Sequence, residues 1–178
     1  FQEERFSRPN PLIMKFASSP AHLAGKDLVS SETGTWLGNH FKVSFSQLKP
    51  EIDLLFTAGI NHILYHGIPY SPFDKPFPGR LFYAATNFGP ATNLWSYLDE
   101  VNAYITRCQS ILQQTTPDNE ILVYFPVFDL WEEPGSEDKI LMQGVHNPDR
   151  WLFDTPFGEL ALNLREQGFT FDYISDRQ

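Results

Sequence analysis

A carboxylate lies in a segment rich in hydroxyl groups near the start of the chain. Glu32 follows a short predicted strand, residues 27–31, and precedes Thr33, Gly34, Thr35 and Trp36. Because ligands of parallel α/β folds bind beyond the carboxyl ends of the strands, a carboxylate at this place faces a cleft. Neighbouring hydroxyl groups can orient it, and an aromatic ring can back it. The segment therefore predicts a catalytic carboxylate, although a turn or helix-capping glutamate explains the same residues about equally well.

A second candidate lies in the next apolar run, residues 60–67. Strand alternation places His62 and His66 on one face and Tyr65 on the other. His66, at the end of the run, can donate a hydrogen bond to a sugar hydroxyl or a carboxylate, whereas His62 is more often a satisfied core histidine. Two weaker candidates have plainer explanations: packing and a helix cap for residues 82–95, and an acidic surface loop for Asp129.

Composition excludes several classes of function. The net charge of −9 over 178 residues offers no basic stripe for nucleic acid and disfavours an anionic membrane surface. The lone Cys108 excludes a disulfide within the chain, and no apolar run has the roughly 20 residues of a membrane span. Phosphate loops, serine nucleophile elbows and zinc-type His or Cys spacings are also absent. Aromatic residues make up 15% of the chain, which indicates either a large core or a surface that binds sugar rings.

Helical and strand patterns alternate along the chain. The predicted helices span residues 10–25, 44–59, 93–113 and 155–167, and the predicted strands span 27–31, 60–65, 81–85, 120–125 and 169–174. We expect Pro20 to kink or divide the first helix and the stretch 132–139 to be an exposed acidic loop. This alternation is typical of a parallel α/β structure. The polar break after the long helix predicts a boundary between residues 1–114 and 115–178.

An ordered set of motifs resembles the bacterial α-L-rhamnosidases of glycoside hydrolase family 106 over about residues 10–135. The segments that carry the resemblance are His22–Lys26, Ser30–Leu37, Lys49–Asp53, Gly59–Gly67 and Phe82–Ala84. The resemblance implies that residues 1–114 are the C-terminal part of a (β/α)8 (TIM-type) barrel and that residues 115–178 start a following α/β domain. It also implies inverting hydrolysis of terminal rhamnosides by two carboxylic acids, with Ca²⁺ near the sugar hydroxyls.

By this resemblance Glu32 is the base that activates water, at the end of the penultimate barrel strand. Trp36, Asn39, Tyr65 and His66 are the expected sugar contacts. The acid partner is expected upstream, in the rest of a longer parent chain, because this chain starts at Phe1 rather than at Met. The isolated piece is therefore expected to be inactive, and the calcium ligands cannot be placed.

Two other functions fit the same residues. A non-catalytic carbohydrate-binding or structural module would bind an oligosaccharide or polysaccharide through its aromatic rings without using Glu32 for chemistry. A self-associating scaffold would use those rings against a protein partner. Because hydrolases of external polysaccharides are usually exported, family analogy predicts a periplasmic or secreted parent protein.

Overall fold

The structure is a computed structural model that describes residues 10–132 and 148–178. Helices and strands alternate, which confirms the α/β class. In chain order the elements are α1 (Pro11–Leu23), β1 (Ser30–Thr33), α2 (Phe45–Thr57), β2 (His62–Tyr65), a 3-10 turn (Trp95–Tyr97), α3 (Leu98–Leu112), β3 (Ile121–Tyr124), α4 (Val127–Glu132), a π-helical turn (Asp149–Phe153), α5 (Pro156–Glu166) and β4 (Phe171–Ile174).

The four strands form two separate parallel pairs. Strand β1 pairs with β2, with Glu32 opposite Leu64, and β3 pairs with β4, with Ile121 opposite Phe171. The described residues form no closed barrel. The (β/α)8 architecture and the boundary at residue 114 therefore stay predictions.

Local sequence signals start the helices where the patterns predict. Asn10 caps α1 by accepting a hydrogen bond from the Leu12 amide (2.9 Å), and Pro11 takes the first helical position. The Gln47 side chain accepts from the Ser44 amide (3.0 Å) at the start of α2. Pro20, in contrast, lies inside α1 and does not divide it. It falls in the last turn, so few helical hydrogen bonds follow it.

Helix α1 lies between the two strand pairs. Its Leu12 and Ile13 join one core with β3, β4 and α5, while its Met14 joins another with α2 and the residues before β1 and β2. Two adjacent, fully buried serines show the same division. Ser18 donates to the Ala58 carbonyl at the end of α2 (2.6 Å), and Ser19 donates to Asp172 of β4 (2.9 Å).

A third core joins α2 and α3 to one face of the first strand pair. Its buried members are Trp36, Val43, Leu48, Ile52, Phe88, Leu94, Leu98 and Ile105, with Ile63 and Tyr65 of β2 packed against them. The helical periodicity predicted for α2 and α3 thus corresponds to burial on one face of each helix.

Four sequence predictions need correction or qualification. Residues 81–85 form no strand; they contribute one isolated bridge, between Thr35 and Ala85, because the Pro- and Gly-rich loop around them supplies no paired neighbour. Strand β1 starts three residues later than predicted, so Glu32 lies inside it. Asp129 lies exposed on α4 and not in a loop. Most of the predicted acidic loop, residues 133–139, falls outside the described residues.

Candidate active site

The carboxyl ends of β1 and β2 bring a carboxylate and an imidazole together. Glu32 Oε2 lies 3.9 Å from His66 Nδ1, and both side chains are partly open to solvent. The parallel register produces this proximity, because Thr33 is opposite Tyr65 and the His66 amide donates to the Thr33 carbonyl (2.7 Å). Residues that are 34 positions apart therefore share one edge of the sheet.

A buried hydroxyl links the two groups. The Thr35 hydroxyl donates to Glu32 Oε2 (3.3 Å) and lies 2.9 Å from His66 Nδ1. Because a hydroxyl has one proton, Thr35 can donate to Glu32 and hydrogen-bond to His66 at the same time only when Nδ1 of His66 is the donor. Thr35, which is only 2% exposed, thus orients both the carboxylate and the imidazole.

Residues 84–88 hold the turn that carries Thr35. The Thr86 amide and hydroxyl both donate to the Gly34 carbonyl (3.1 and 2.6 Å), and the Trp36 amide donates to the Ala84 carbonyl (3.0 Å). Gly34 is needed in this turn. Its φ is +85°, and a Cβ there would lie 2.8 Å from the ring of Phe88. The sequence marked residues 82–87 only as packing, yet this segment fixes the site.

One face of the first strand pair carries the site, and the other carries the core. Ser31 and Thr33 are buried, whereas Glu32 is exposed. On β2, Leu64 is 52% exposed on the same side as Glu32, and Ile63 packs against α2 and α3. The helices therefore cover only one face, and the carboxylate projects from the open one.

The predicted sugar contacts lie in different environments. Trp36 is 8% exposed and packs among the buried residues of α2 and α3. Tyr65 packs on Phe88 (ring centroids 4.5 Å apart) and donates to Asn102 Oδ1 (2.8 Å); burial raises the pKa of its hydroxyl to about 12. Asn39 is exposed. Of these residues, the structure brings only His66 to Glu32.

A second polar cluster surrounds Asp172 of β4 and includes residues of α1. The buried Asp172 of β4 accepts hydrogen bonds from Ser19 (2.9 Å), His22 (3.1 Å) and Asn119 (2.8 Å), and Lys15 Nζ lies 3.5 Å away. Burial opposes ionisation of this carboxyl, but hydrogen bonds from His22, Asn119 and Ser19, together with the charge of Lys15, outweigh it and hold the pKa of Asp172 far below its usual range. The hydrogen bonds and the ion pair of this cluster attach β4 to α1.

Two cavities, of about 220 and 230 Å³, adjoin this second cluster. Both are lined by His22, Gly59 and Pro117, close to where β1 and β2 begin, and neither is lined by Glu32 or His66. The concave surfaces and the oriented, solvent-accessible carboxylate of Glu32 are therefore in different places.

The described residues contain no group of three or more His, Cys, Asp or Glu side chains arranged to hold a metal ion. The calcium ion that the family resemblance implies stays a prediction. Within the same part, no helix has the length and apolar character of a membrane crossing.

Fold and site together define an α/β protein with an oriented carboxylate at the carboxyl ends of two parallel strands. Residues 8–133 match the sequence model of glycoside hydrolase family 106, described as alpha-L-rhamnosidase. Since the match covers well over half of the chain, the chain belongs to this family, and the resemblance noted from its motifs is confirmed.

A curated relative gives a second comparison. The chain is 31% identical over 110 residues to a protein of Formosa agariphila named "Putative beta-glucuronidase". The aligned region is 62% of this chain but only 9% of that relative. The chain thus corresponds to a small part of the relative's length.

Proposed function

We propose that this chain is part of a glycosidase that hydrolyses terminal α-L-rhamnosides, with Glu32 as the base that activates water. The observation that carries the proposal is the hydrogen-bonded series from His66 through Thr35 to Glu32 on an open strand face. Family membership supports the reaction class. The matching strands would then be the last two of a (β/α)8 barrel.

The proposed chemistry needs a second carboxyl group. In inverting hydrolysis, Glu32 takes a proton from water, and the water oxygen attacks the anomeric carbon as the glycosidic bond breaks. An acid on the opposite side of the sugar protonates the leaving oxygen, with the two carboxyls roughly 6.5–9.5 Å apart. We place that acid in a part of the protein outside residues 1–178, in a periplasmic or secreted enzyme that acts on oligosaccharides or polysaccharides.

The environment of Glu32 favours a neutral sugar over a uronic acid. Binding a glucuronate carboxylate calls for a cationic partner. The groups that the described residues place here are instead the carboxylate of Glu32, which repels a second carboxylate, and the apolar side chain of Leu64. A 6-deoxy sugar presents a methyl group, which suits the exposed Leu64 beside Glu32 on the strand face.

The test is Glu32→Gln in the full-length protein, assayed with 4-nitrophenyl α-L-rhamnopyranoside and, in parallel, with the matching β-D-glucuronide. Loss of a general base should lower kcat by roughly 10²- to 10⁴-fold and leave the circular dichroism spectrum unchanged. Glu120→Gln, an exposed carboxyl ahead of β3, is the control and should keep full activity. Near-normal turnover by Glu32→Gln would exclude the role, and turnover of the glucuronide alone would exclude rhamnoside specificity.

A non-catalytic carbohydrate-binding module is the alternative function. The exposed aromatic residues around the site fit sugar binding whether or not Glu32 performs catalysis. Such a module would show no turnover with either substrate. It would also bind L-rhamnose with the same affinity in the wild type and in Glu32→Gln, which calorimetry can measure.

A further inference from the structure

A pair of exposed aromatic rings lies beside the candidate base. The rings of Phe82 and His66 meet edge to face, with centroids 5.1 Å apart, and Tyr83 packs on Phe82 at 4.8 Å. His66 in turn lies 3.9 Å from the Glu32 carboxylate. Only the His66 side chain therefore separates the aromatic pair from the Glu32 carboxylate.

Both rings remain open to solvent although they lie on a fixed backbone. Phe82 is 41% exposed and Tyr83 is 70% exposed. The Phe82 carbonyl accepts from the Ala85 amide (3.2 Å), and the carbonyl of Ala84, the residue after Tyr83, accepts from the Trp36 amide (3.0 Å). Exposed aromatic rings on a fixed backbone lose little conformational entropy when a ligand covers them.

We propose that Phe82 and Tyr83 form a stacking wall for the sugar ring on which Glu32 acts. This inference rests on the proposed function and adds the residues that bind the substrate. Pyranose rings have apolar C–H faces that pack against flat aromatic side chains. The wall takes the place of Trp36 and Tyr65, the aromatic residues that the sequence suggested, because both of those pack against the core.

The apolar character of the wall favours neutral sugars as ligands. The side chains of Phe82 and of Leu64, on the adjoining strand face, have no polar atom, and the wall carries one polar side-chain group, the Tyr83 hydroxyl. Such a surface binds neutral sugars that present an apolar face, and a 6-deoxy hexose is one of them. The Glu32 carboxylate near the wall repels the carboxylate of an acidic sugar.

The experiment measures KM and kcat of the full-length protein for 4-nitrophenyl α-L-rhamnopyranoside. Phe82→Ala should raise KM roughly 10- to 100-fold, because a stacked aromatic side chain contributes binding energy of that size. Phe82→Tyr, which keeps a flat ring, should restore KM. Phe82→Leu, which keeps apolar bulk without the ring, should resemble Phe82→Ala and decides the matter if the alanine variant fails to fold.

Phe128→Ala is the matched control. Phe128 is 42% exposed and packs edge to face on Trp131, outside the Glu32 site, so the substitution removes an equally exposed paired ring. It should leave KM unchanged. An unchanged KM in Phe82→Ala, or an equal rise in Phe128→Ala, overturns the stacking wall.

Failure of the wall and failure of the proposed function give different results. If Phe82→Ala has a normal KM while Glu32→Gln is inactive, the catalytic proposal stands and the wall is wrong. If Glu32→Gln is fully active, the catalytic proposal fails. Calorimetric titration with L-rhamnose then tests the wall by itself, since Phe82→Ala should still weaken binding and unchanged binding would refute it.

Discussion

Replacing Asp172 by Asn tests how the last strand is attached to the first helix. The carboxylate is 4% exposed and receives hydrogen bonds from Ser19, His22 and Asn119, with Lys15 beside it. Asparagine keeps the shape but loses the charge, and it turns one acceptor oxygen into a donor. At least one of the three donors then faces an N–H group instead of an oxygen.

The magnitude follows from these contacts. A hydrogen bond to a charged group contributes about 1.5–3 kcal/mol, and breaking a buried pair by removing one partner costs about 3–5 kcal/mol. Lys15, whose side chain is 14% exposed, would also keep its charge without a carboxylate beside it. We expect Asp172→Asn to lower the free energy of unfolding by about 3 kcal/mol and Tm by about 10 °C.

Urea denaturation followed by tryptophan fluorescence is the assay, because Trp151 is buried in the core that contains β4. Asp176→Asn is the control. Asp176 is an exposed carboxylate that accepts one hydrogen bond, from Tyr124 (2.7 Å), so its loss should cost little. A change below about 1 kcal/mol for Asp172→Asn, or equal changes for both variants, would show that the cluster does not stabilise the junction.

Two further predictions concern acid and backbone packing. The pKa of Asp172 is lower in the folded than in the unfolded state, so its contribution to stability is complete above the unfolded pKa of about 4 and declines as the pH falls toward the folded pKa. The urea midpoint of the wild type should therefore decrease from pH 7 to pH 3, and that of Asp172→Asn should decrease less. Parallel curves for the two proteins would contradict this. Gly158→Ala should lower the free energy of unfolding in urea by about 3 kcal/mol, because a Cβ at this position would clash with the Leu152 carbonyl oxygen. Gly89→Ala is the control and should be tolerated, since its Cβ would lie 3.6 Å from the nearest atom. Equal stability of the two variants would refute the clash.

Local patterns were enough to predict most of the elements. The apolar spacing of α2 and α3, the helix start at Asn10, and the short apolar runs of β2, β3 and β4 all depend on neighbouring residues, and all of these elements formed. The strand predicted at 81–85 failed for a related reason. Its apolar residues fit a strand, but a strand also needs a partner, and only Thr35 offers a bridge.

The site was less predictable because tertiary contacts decide it. Sequence could indicate Glu32 and His66 as strand-end residues and the neighbouring hydroxyl groups as partners of Glu32, but it could not indicate the contact of Thr35 with His66 across 31 residues. Sequence also could not tell that Trp36 is buried while Phe82 and Tyr83 are exposed, since an aromatic residue type does not reveal whether its ring packs into the core. Asp172 left no local signal, because its partners are about 50 to 150 residues away.

The position of α1 between the two strand pairs has a consequence for how the molecule comes apart. Ser18 and Ser19 are neighbours in the chain but serve opposite sides of the helix, one toward Ala58 and the other toward Asp172. Fraying of this helix would expose apolar surface on both sides at once, toward β3 and β4 and toward α2 and the residues before β1 and β2. The thirteen residues of α1 thereby couple the packing of two sheets that are each too short to be stable alone.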